Sequence, residues 1–80
     1  MILILASGGQ TARTFARCLG YQPRDWRYVA SLDTLLGIER GTTVLLVGDY
    51  WRRKQWHEFR YEMHVRGLTT LIIDDARLVQ

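Results

Sequence analysis

Apolar residues occur along this chain in two patterns: short continuous runs, and segments in which they recur every three or four positions. The runs predict strands at residues 2–6, 43–47 and 68–73, and an alternating segment rich in aromatic and β-branched residues predicts another at residues 26–30. The helical spacing predicts three helices, one from about Thr11 to the residue before Gly20 and two more over residues 32–38 and 51–66. The predicted order of elements is therefore β-α-β-α-β-α-β.

This strict alternation predicts the fold class. Strands separated by helices at this spacing pair in parallel through right-handed crossovers. We therefore expect one α/β domain over residues 1–80, a minimal Rossmann-like three-layer sandwich with a four-stranded, mostly parallel sheet and three helices. Two strand orders stay open: either the first strand lies between the second and third, or the second lies between the third and first. The order matters because ligands bind such sheets where the strand order reverses.

A glycine-containing turn joins the first strand to the first helix. Its residues are Ser7, Gly8, Gly9, Gln10 and Thr11. The two glycines would let backbone N–H groups approach a phosphate at the helix N-terminus, and Arg13 would add positive charge. The turn lacks the third glycine of a dinucleotide fingerprint and the Gly-Lys-Ser/Thr of a P-loop. It is interpreted first as a structural turn, with phosphate or nucleotide binding as the alternative.

The predicted third helix carries two stripes of side chains. Trp56, Phe59 and Met63 have the spacing of a face that packs on the sheet. A second stripe has helical spacing and a basic character, is bordered by Tyr61, and consists of Arg53, His57, Arg60 and His64. A face of this kind could contact phosphates or an acidic protein.

The start of this helix is also basic. Residues 52–54 place two arginines and a lysine at the helix end where the macrodipole disfavours positive charge, which suggests a use for those charges. Glu58 and Glu62 reduce the positive charge of this helix, so a solvated outer surface without a binding role is the alternative interpretation. The candidate partner-binding residues are Tyr50, Trp51, Arg52, Arg53, His57, Arg60, Tyr61 and His64.

Charge and cysteine content limit the partners and the cellular compartment that we expect. A net charge of +3 and a pI of about 9.5 permit contact with nucleic acid without requiring it. The single Cys18 excludes an internal disulfide and a cysteine-based zinc cluster, and it suits a reducing cytoplasm. The apolar start is too short for a signal peptide or a membrane span. We therefore expect a cytoplasmic protein that does not contact a membrane.

No catalytic signature accompanies these features. His57 and His64 are two helical turns apart, about 10.5 Å, which is too far to share one metal ion. Asp49, Asp74 and Asp75 follow two strands and could gather around Mg²⁺ for phosphoryl transfer or nuclease chemistry, although carboxylates at strand ends also act as caps. We assign no catalytic residue, metal or cofactor, and we expect a non-enzymatic protein.

Three short segments carry a resemblance. Residues 26–31 form a strand ending in a Tyr-Val-x-Ser unit, residues 35–37 form a Leu-x-Gly turn, and residues 45–52 contain a Val-Gly-x-Tyr-Trp unit that opens a basic helix. This arrangement resembles a group of small uncharacterised accessory proteins of actinobacteriophages, of the mycobacteriophage type. The likeness covers most of the chain and implies a phage origin, a Rossmann-like fold and a place in the host bacterial cytoplasm. It implies no activity, but small accessory phage proteins often bind a host component.

Two function classes follow. The first is a non-enzymatic phage-type accessory protein that binds a host protein, or a second copy of itself, through the aromatic and basic third helix. A domain of 80 residues buries only about 60–65% of its unfolded surface, which favours a homo-oligomer. The alternative is a nucleotide- or nucleic-acid-binding module that uses the turn at residues 7–11 and the basic helix.

Overall fold

The computed structural model describes residues 1–73. Its strands and helices are β1 (Ile2–Leu5), α1 (Gly9–Cys18), β2 (Trp26–Tyr28), β3 (Thr43–Val47), α2 (Trp56–Val65) and β4 (Thr69–Ile73). Two short 3-10 helices, Leu32–Leu35 and Tyr50–Arg52, precede β3 and α2. Residues 74–80, which follow the last predicted strand, lie outside the described residues. Within residues 1–73, no helix is both long and apolar enough to cross a membrane.

The sheet is parallel throughout and has the order β2-β1-β3-β4. Ile4 of β1 pairs with Tyr28 of β2 on one side and with Leu45 of β3 on the other. The predicted α/β class and parallel four-stranded sheet are therefore confirmed. Of the two strand orders that the sequence left open, the structure has the one in which the first strand lies between the second and third.

Each face of the sheet buries its own hydrophobic cluster. On one face, Phe15 and Ala16 of α1 pack on β1 and β3. On the other face, Phe59 and Met63 of α2, together with Leu35 of the first 3-10 helix, pack on the same two strands. Because β1 and β3 are covered on both faces, their sequences are apolar at every buried position.

Residues 1–73 form two α-helices and not the three that the sequence predicted. The segment predicted as a helix over residues 32–38 forms a single 3-10 turn, Leu32–Leu35. It ends because Leu36 is extended and Gly37 has a φ of +75°, a left-handed conformation that glycine adopts without strain. The turn still buries Leu35 against the sheet, so the apolar spacing reflected packing and not a longer helix.

The predicted helix over residues 51–66 is also interrupted. Tyr50–Arg52 forms a 3-10 helix, and α2 begins only at Trp56. Between them, Arg53 is extended, with φ −59° and ψ 131°, and Gln55 is left-handed, with φ 65°. The chain therefore changes direction before α2, and residues 50–53 do not continue the faces of that helix.

The buried face of α2 predicts a difference in stability between two aromatic positions. Phe59→Ala should lower the free energy of unfolding by about 3–5 kcal/mol because the ring is buried between α2 and the sheet. That loss is a large part of the roughly 4–12 kcal/mol expected for a domain of 80 residues. Urea denaturation followed by circular dichroism measures it. Tyr61→Ala, whose residue is 65% exposed, is the control and should change stability by less than about 0.5 kcal/mol.

Candidate functional site

Arg53 makes the most extensive side-chain contacts near the carboxyl end of the sheet. Its Nη1 donates to the carbonyl of Ala6, just beyond β1, at 3.3 Å, and its Nη2 donates to the carbonyl of Ala30, after β2, at 2.7 Å. The guanidinium carbon lies 5.1 Å from the ring centroid of Tyr28 and 4.8 Å from that of Phe59. Both distances suit a cation–π contact. Arg53 therefore joins the segment before α2 to the ends of two strands.

These contacts correct the predicted basic stripe. Arg53 was predicted on an outward helix face with His57, Arg60 and His64, but it precedes α2 and its guanidinium is engaged within the chain. The extended backbone at Arg53 directs the side chain back over β1 and β2. The structure therefore separates Arg53 from the other predicted partner-binding residues.

A groove lies between α2 and β4, and we call it the β4 groove. Its volume is about 630 Å³. The lining residues are Leu46, Tyr50, Trp51, Trp56, Arg60, Met63, His64, Leu68, Thr70 and Ile72. The floor is apolar, aromatic rings close one end, and a guanidinium and an imidazole lie along the α2 side. Such a combination of an apolar floor and a few polar groups is typical of a binding surface.

Tyr50 organises the aromatic end of the β4 groove. Its ring packs edge-on against Trp51, with centroids 5.2 Å apart, and against Trp56, with centroids 5.1 Å apart. Tyr50 and Trp56 are partly buried against the core cluster, whereas Trp51 stays 55% exposed. The core therefore holds Tyr50 and Trp56 in place, and Tyr50 supports the solvent-exposed ring of Trp51.

The α2 side of the groove forms a basic flank. His57, Arg60, Tyr61 and His64 line a shallow cavity of about 400 Å³ on the outer surface of α2, and Arg60 and His64 also line the β4 groove. Between residues 1 and 73, the ion pairs are Arg52 with Asp49 and Arg66 with Glu62, so the guanidinium of Arg60 is unpaired there. The predicted residues Arg60 and His64 thus line the same groove as the tryptophans, whereas His57 and Tyr61 line only the outer cavity.

Arg52 stands apart from this flank. Its Nε lies 3.8 Å from a carboxylate oxygen of Asp49, and both side chains are well exposed. A long, solvated pair of this kind contributes little to stability. Arg52 therefore remains available at the surface, but the residues that line the β4 groove do not include it.

One part of this surface was not found from the sequence. Within residues 1–73, β4 is an edge strand, and its Leu71 is 50% exposed and its Ile72 66% exposed. Ile72 and Thr70 line the β4 groove. The signal was present as five successive uncharged residues, Thr69–Ile73, but only the strand order shows that they form an edge and not a buried strand.

The turn at residues 7–11 lies at the reversal point of the sheet, between β1 and β3. Helix α1 begins at Gly9, and its cap residue Gly8 is extended and makes no side-chain capping bond. The turn packs closely on the end of β3: a Cβ at Gly48, whose φ is +57°, would lie 3.1 Å from the Thr11 methyl group. Arg13 lines a different cleft of about 420 Å³ with Arg17 and other residues, none of them from this turn.

The candidate metal site is tested only in part. Among residues 1–73, no group of three histidine, cysteine, aspartate or glutamate side chains is placed to hold a metal ion. Asp49 occupies the N-cap position of the second 3-10 helix without a side-chain capping bond, and it pairs with Arg52. Asp74 and Asp75 lie outside the described residues.

Comparison with known proteins adds no relative. The chain matches no protein-family model, no curated protein and no solved structure.

The contacts of Arg53 predict a structural role that its neighbour lacks. Arg53→Ala should destabilise the fold by about 1–3 kcal/mol, because charge-assisted hydrogen bonds to two carbonyls and two ring contacts are lost. Arg53→Lys should recover part of this stability, since an ammonium lacks the planar fork of a guanidinium. Urea denaturation measures both. Arg52→Ala, which removes the same charge from an exposed side chain, should stay within about 0.5 kcal/mol of wild type, and an equal loss would contradict the assignment.

Proposed function

We propose that this protein is a non-enzymatic, phage-type accessory protein that binds a host protein through the β4 groove and its basic flank. The proposal includes a minimal Rossmann-like fold and a place in the bacterial cytoplasm. The observation that carries it is the β4 groove, in which three aromatic rings, an apolar floor and Arg60, which forms no ion pair within residues 1–73, lie together. The resemblance of residues 26–31, 35–37 and 45–52 to phage accessory proteins supports the same class of function.

The side chains of the groove are those that dominate protein interfaces. Tryptophan, tyrosine and arginine are enriched at positions where truncation to alanine costs most binding energy. Trp51 is the residue best placed for this role, because its ring is exposed while it packs edge-on against Tyr50, which is itself partly buried against the core. A ring that is ordered before binding loses little conformational entropy on binding, which favours affinity.

The apolar floor and the basic flank also select among partners. The floor ends in Ile72, which is 66% exposed, so covering it removes apolar surface from water. Arg60 and His64 stand beside this floor and present hydrogen-bond donors to whatever covers it. A protein surface with an apolar centre and acidic side chains would match both the apolar floor and the hydrogen-bond donors. The charged backbone of a nucleic acid would match the donors but not the apolar floor.

Trp51 provides the test of this proposal. Trp51→Ala should reduce recovery of the partner from bacterial lysate by at least about tenfold, the loss expected when a central ring is truncated at an interface. Quantitative mass spectrometry of the captured proteins measures the change. Tyr61→Ala should reduce recovery less, because this ring lies on the outer cavity and not in the groove.

Arg27→Ala is the matched control for this experiment. Arg27 is exposed on β2, at the opposite edge of the sheet, so its loss should leave the captured protein unchanged. Thermal unfolding checks that all three variants are folded. Equal recovery with Trp51→Ala and wild type would show that the groove does not bind the partner.

A second candidate function is nucleotide binding at the turn of residues 7–11. The strand order favours it, because the turn lies where the connections from the sheet diverge, and the first N–H groups of α1 are without a side-chain cap. This candidate needs no part of the β4 groove. The two functions can therefore be tested separately.

Gly8 provides the test of nucleotide binding. If the turn binds phosphate, a panel of nucleoside triphosphates should raise the melting temperature of wild type and leave that of Gly8→Val unchanged. Gly8 is extended and a Cβ there meets no atom within 4 Å, so valine should fold while filling the approach to α1. Gly9→Ala is the control, because its Cβ would point to the Tyr28 ring at 3.6 Å. No rise in wild type would exclude this function.

A further inference from the structure

The two edges of the sheet differ in the way they are protected. Edge strand β2 has three residues and carries the exposed Arg27 at its centre. Edge strand β4 has five residues and no charge or proline. Short edge strands and charged side chains are the usual means by which proteins prevent another strand from pairing with an edge. The β2 edge has both, and the β4 edge has neither.

The backbone of β4 presents a defined set of groups to the open edge. The N–H of Thr69 donates to the carbonyl of Thr42 at 2.9 Å, so Thr69 faces β3. Backbone groups alternate in direction along a strand. The N–H and C=O of Leu71 and Ile73 therefore also point to β3, whereas those of Thr70 and Ile72 point outward. No further strand pairs with β4 among residues 1–73. Within residues 1–73, Thr70 and Ile72, two positions apart, therefore offer backbone N–H and C=O groups that no other strand binds.

The same two residues border the β4 groove. Thr70 and Ile72 line it with their side chains, because they lie opposite Val44 and Leu46 on the face that α2 covers. A strand added beside β4, about 4.8 Å away, would therefore direct every second side chain to the groove. Helix α2 runs back from the carboxyl end of the sheet, so His64 lies toward Thr70 and Trp51 toward Ile72.

We infer that β4 accepts an extended, acidic segment of the partner protein as a fifth strand of the sheet. This inference rests on the proposed function and specifies how the partner binds. Charge complementarity selects the acidic segment: Arg60 and His64 stand over the groove, and the chain carries a net charge of +3. An acidic side chain lies near Arg60 and His64, and an aliphatic one, two residues away, lies near Trp51. Main-chain hydrogen bonds to Thr70 and Ile72 supply affinity, as in other cases of strand addition.

Selection from a random twelve-residue peptide library on the intact protein tests this inference. The selected peptides should carry an acidic residue two positions from a β-branched or aliphatic residue. Fluorescence polarisation should show that Thr70→Pro binds them at least about tenfold more weakly than wild type, because proline removes an outward N–H. Proline is tolerated at edge positions whose N–H faces solvent, so the fold should persist. Thr70→Ala, which keeps the N–H, should bind as wild type does.

Amide hydrogen exchange of the wild-type protein gives a second measurement that needs no substitution. The selected peptide should slow exchange at Thr70 and Ile72, while Thr69, already bonded to Thr42, should change little. Arg60→Gln should remove the preference for acidic peptides and leave binding of uncharged ones intact. Arg27→Gln, at the protected edge, is the matched control for the loss of charge.

Three results would overturn the inference. The first is that no peptide is selected, and the second is that Thr70→Pro binds peptide and captures the partner as wild type does. The third is a dimer in sedimentation that Thr70→Pro dissociates, which would assign the edge to a second copy of the chain. If Trp51→Ala still loses the partner, the proposed function survives these results. If Trp51→Ala retains the partner, the proposed function itself fails.

Discussion

The guanidinium of Arg53 sets the arrangement of the carboxyl end of this fold. The carbonyls of Ala6 and Ala30 lie beyond β1 and β2, and one side chain donates to both. The backbone is extended at residue 53, where this side chain leaves the chain, and left-handed at Gln55, so α2 begins only at Trp56. The interruption leaves Tyr50 and Trp51 in a separate 3-10 helix, where their rings pack edge to face and close one end of the β4 groove. The aromatic end of the groove therefore depends on the same residue that ties the strands together.

The small number of helices explains why the faces of edge strand β4 stay exposed within residues 1–73. Within residues 1–73, helices α1 and α2 and the 3-10 turn Leu32–Leu35 cover the four strands, and all three pack mainly on β1 and β3. Strand β4 is hydrogen-bonded to β3 along its length, yet Leu71 and Ile72 on its two faces stay at least half exposed. Backbone hydrogen bonds to β3 thus fix the position of β4, but the helices on the two faces of the sheet do not extend over it. A strand can be well placed and still leave apolar surface for a partner.

The hydrophobic pattern predicted the strands well because β1 and β3 are buried on both faces and their apolar runs have no other explanation. It overestimated the helices, since the spacing of Leu32 and Leu35 reflects one packed turn that ends at Gly37. Arg53 shared its spacing with His57 and Arg60, so periodicity assigned it outward; only the positions of the Ala6 and Ala30 carbonyls show that it points inward. The exposure of β4 could not be predicted from its sequence, because an uncharged strand is central or peripheral according to strand order alone.

The position of Arg53 also distinguishes the two candidate binding regions electrostatically. Its guanidinium lies over Tyr28, whose ring is next to Gly9, so this positive charge stands close to the turn at residues 7–11. There it is already bonded to two carbonyls, and an anion at the turn would compete with them for its donors. Arg60 makes no ion pair within residues 1–73 and borders an apolar floor, where an incoming carboxylate meets no such competition. The charge of Arg53 therefore stabilises the fold near the turn, whereas the charge of Arg60, without an ion-pair partner in the described part of the chain, lies beside β4.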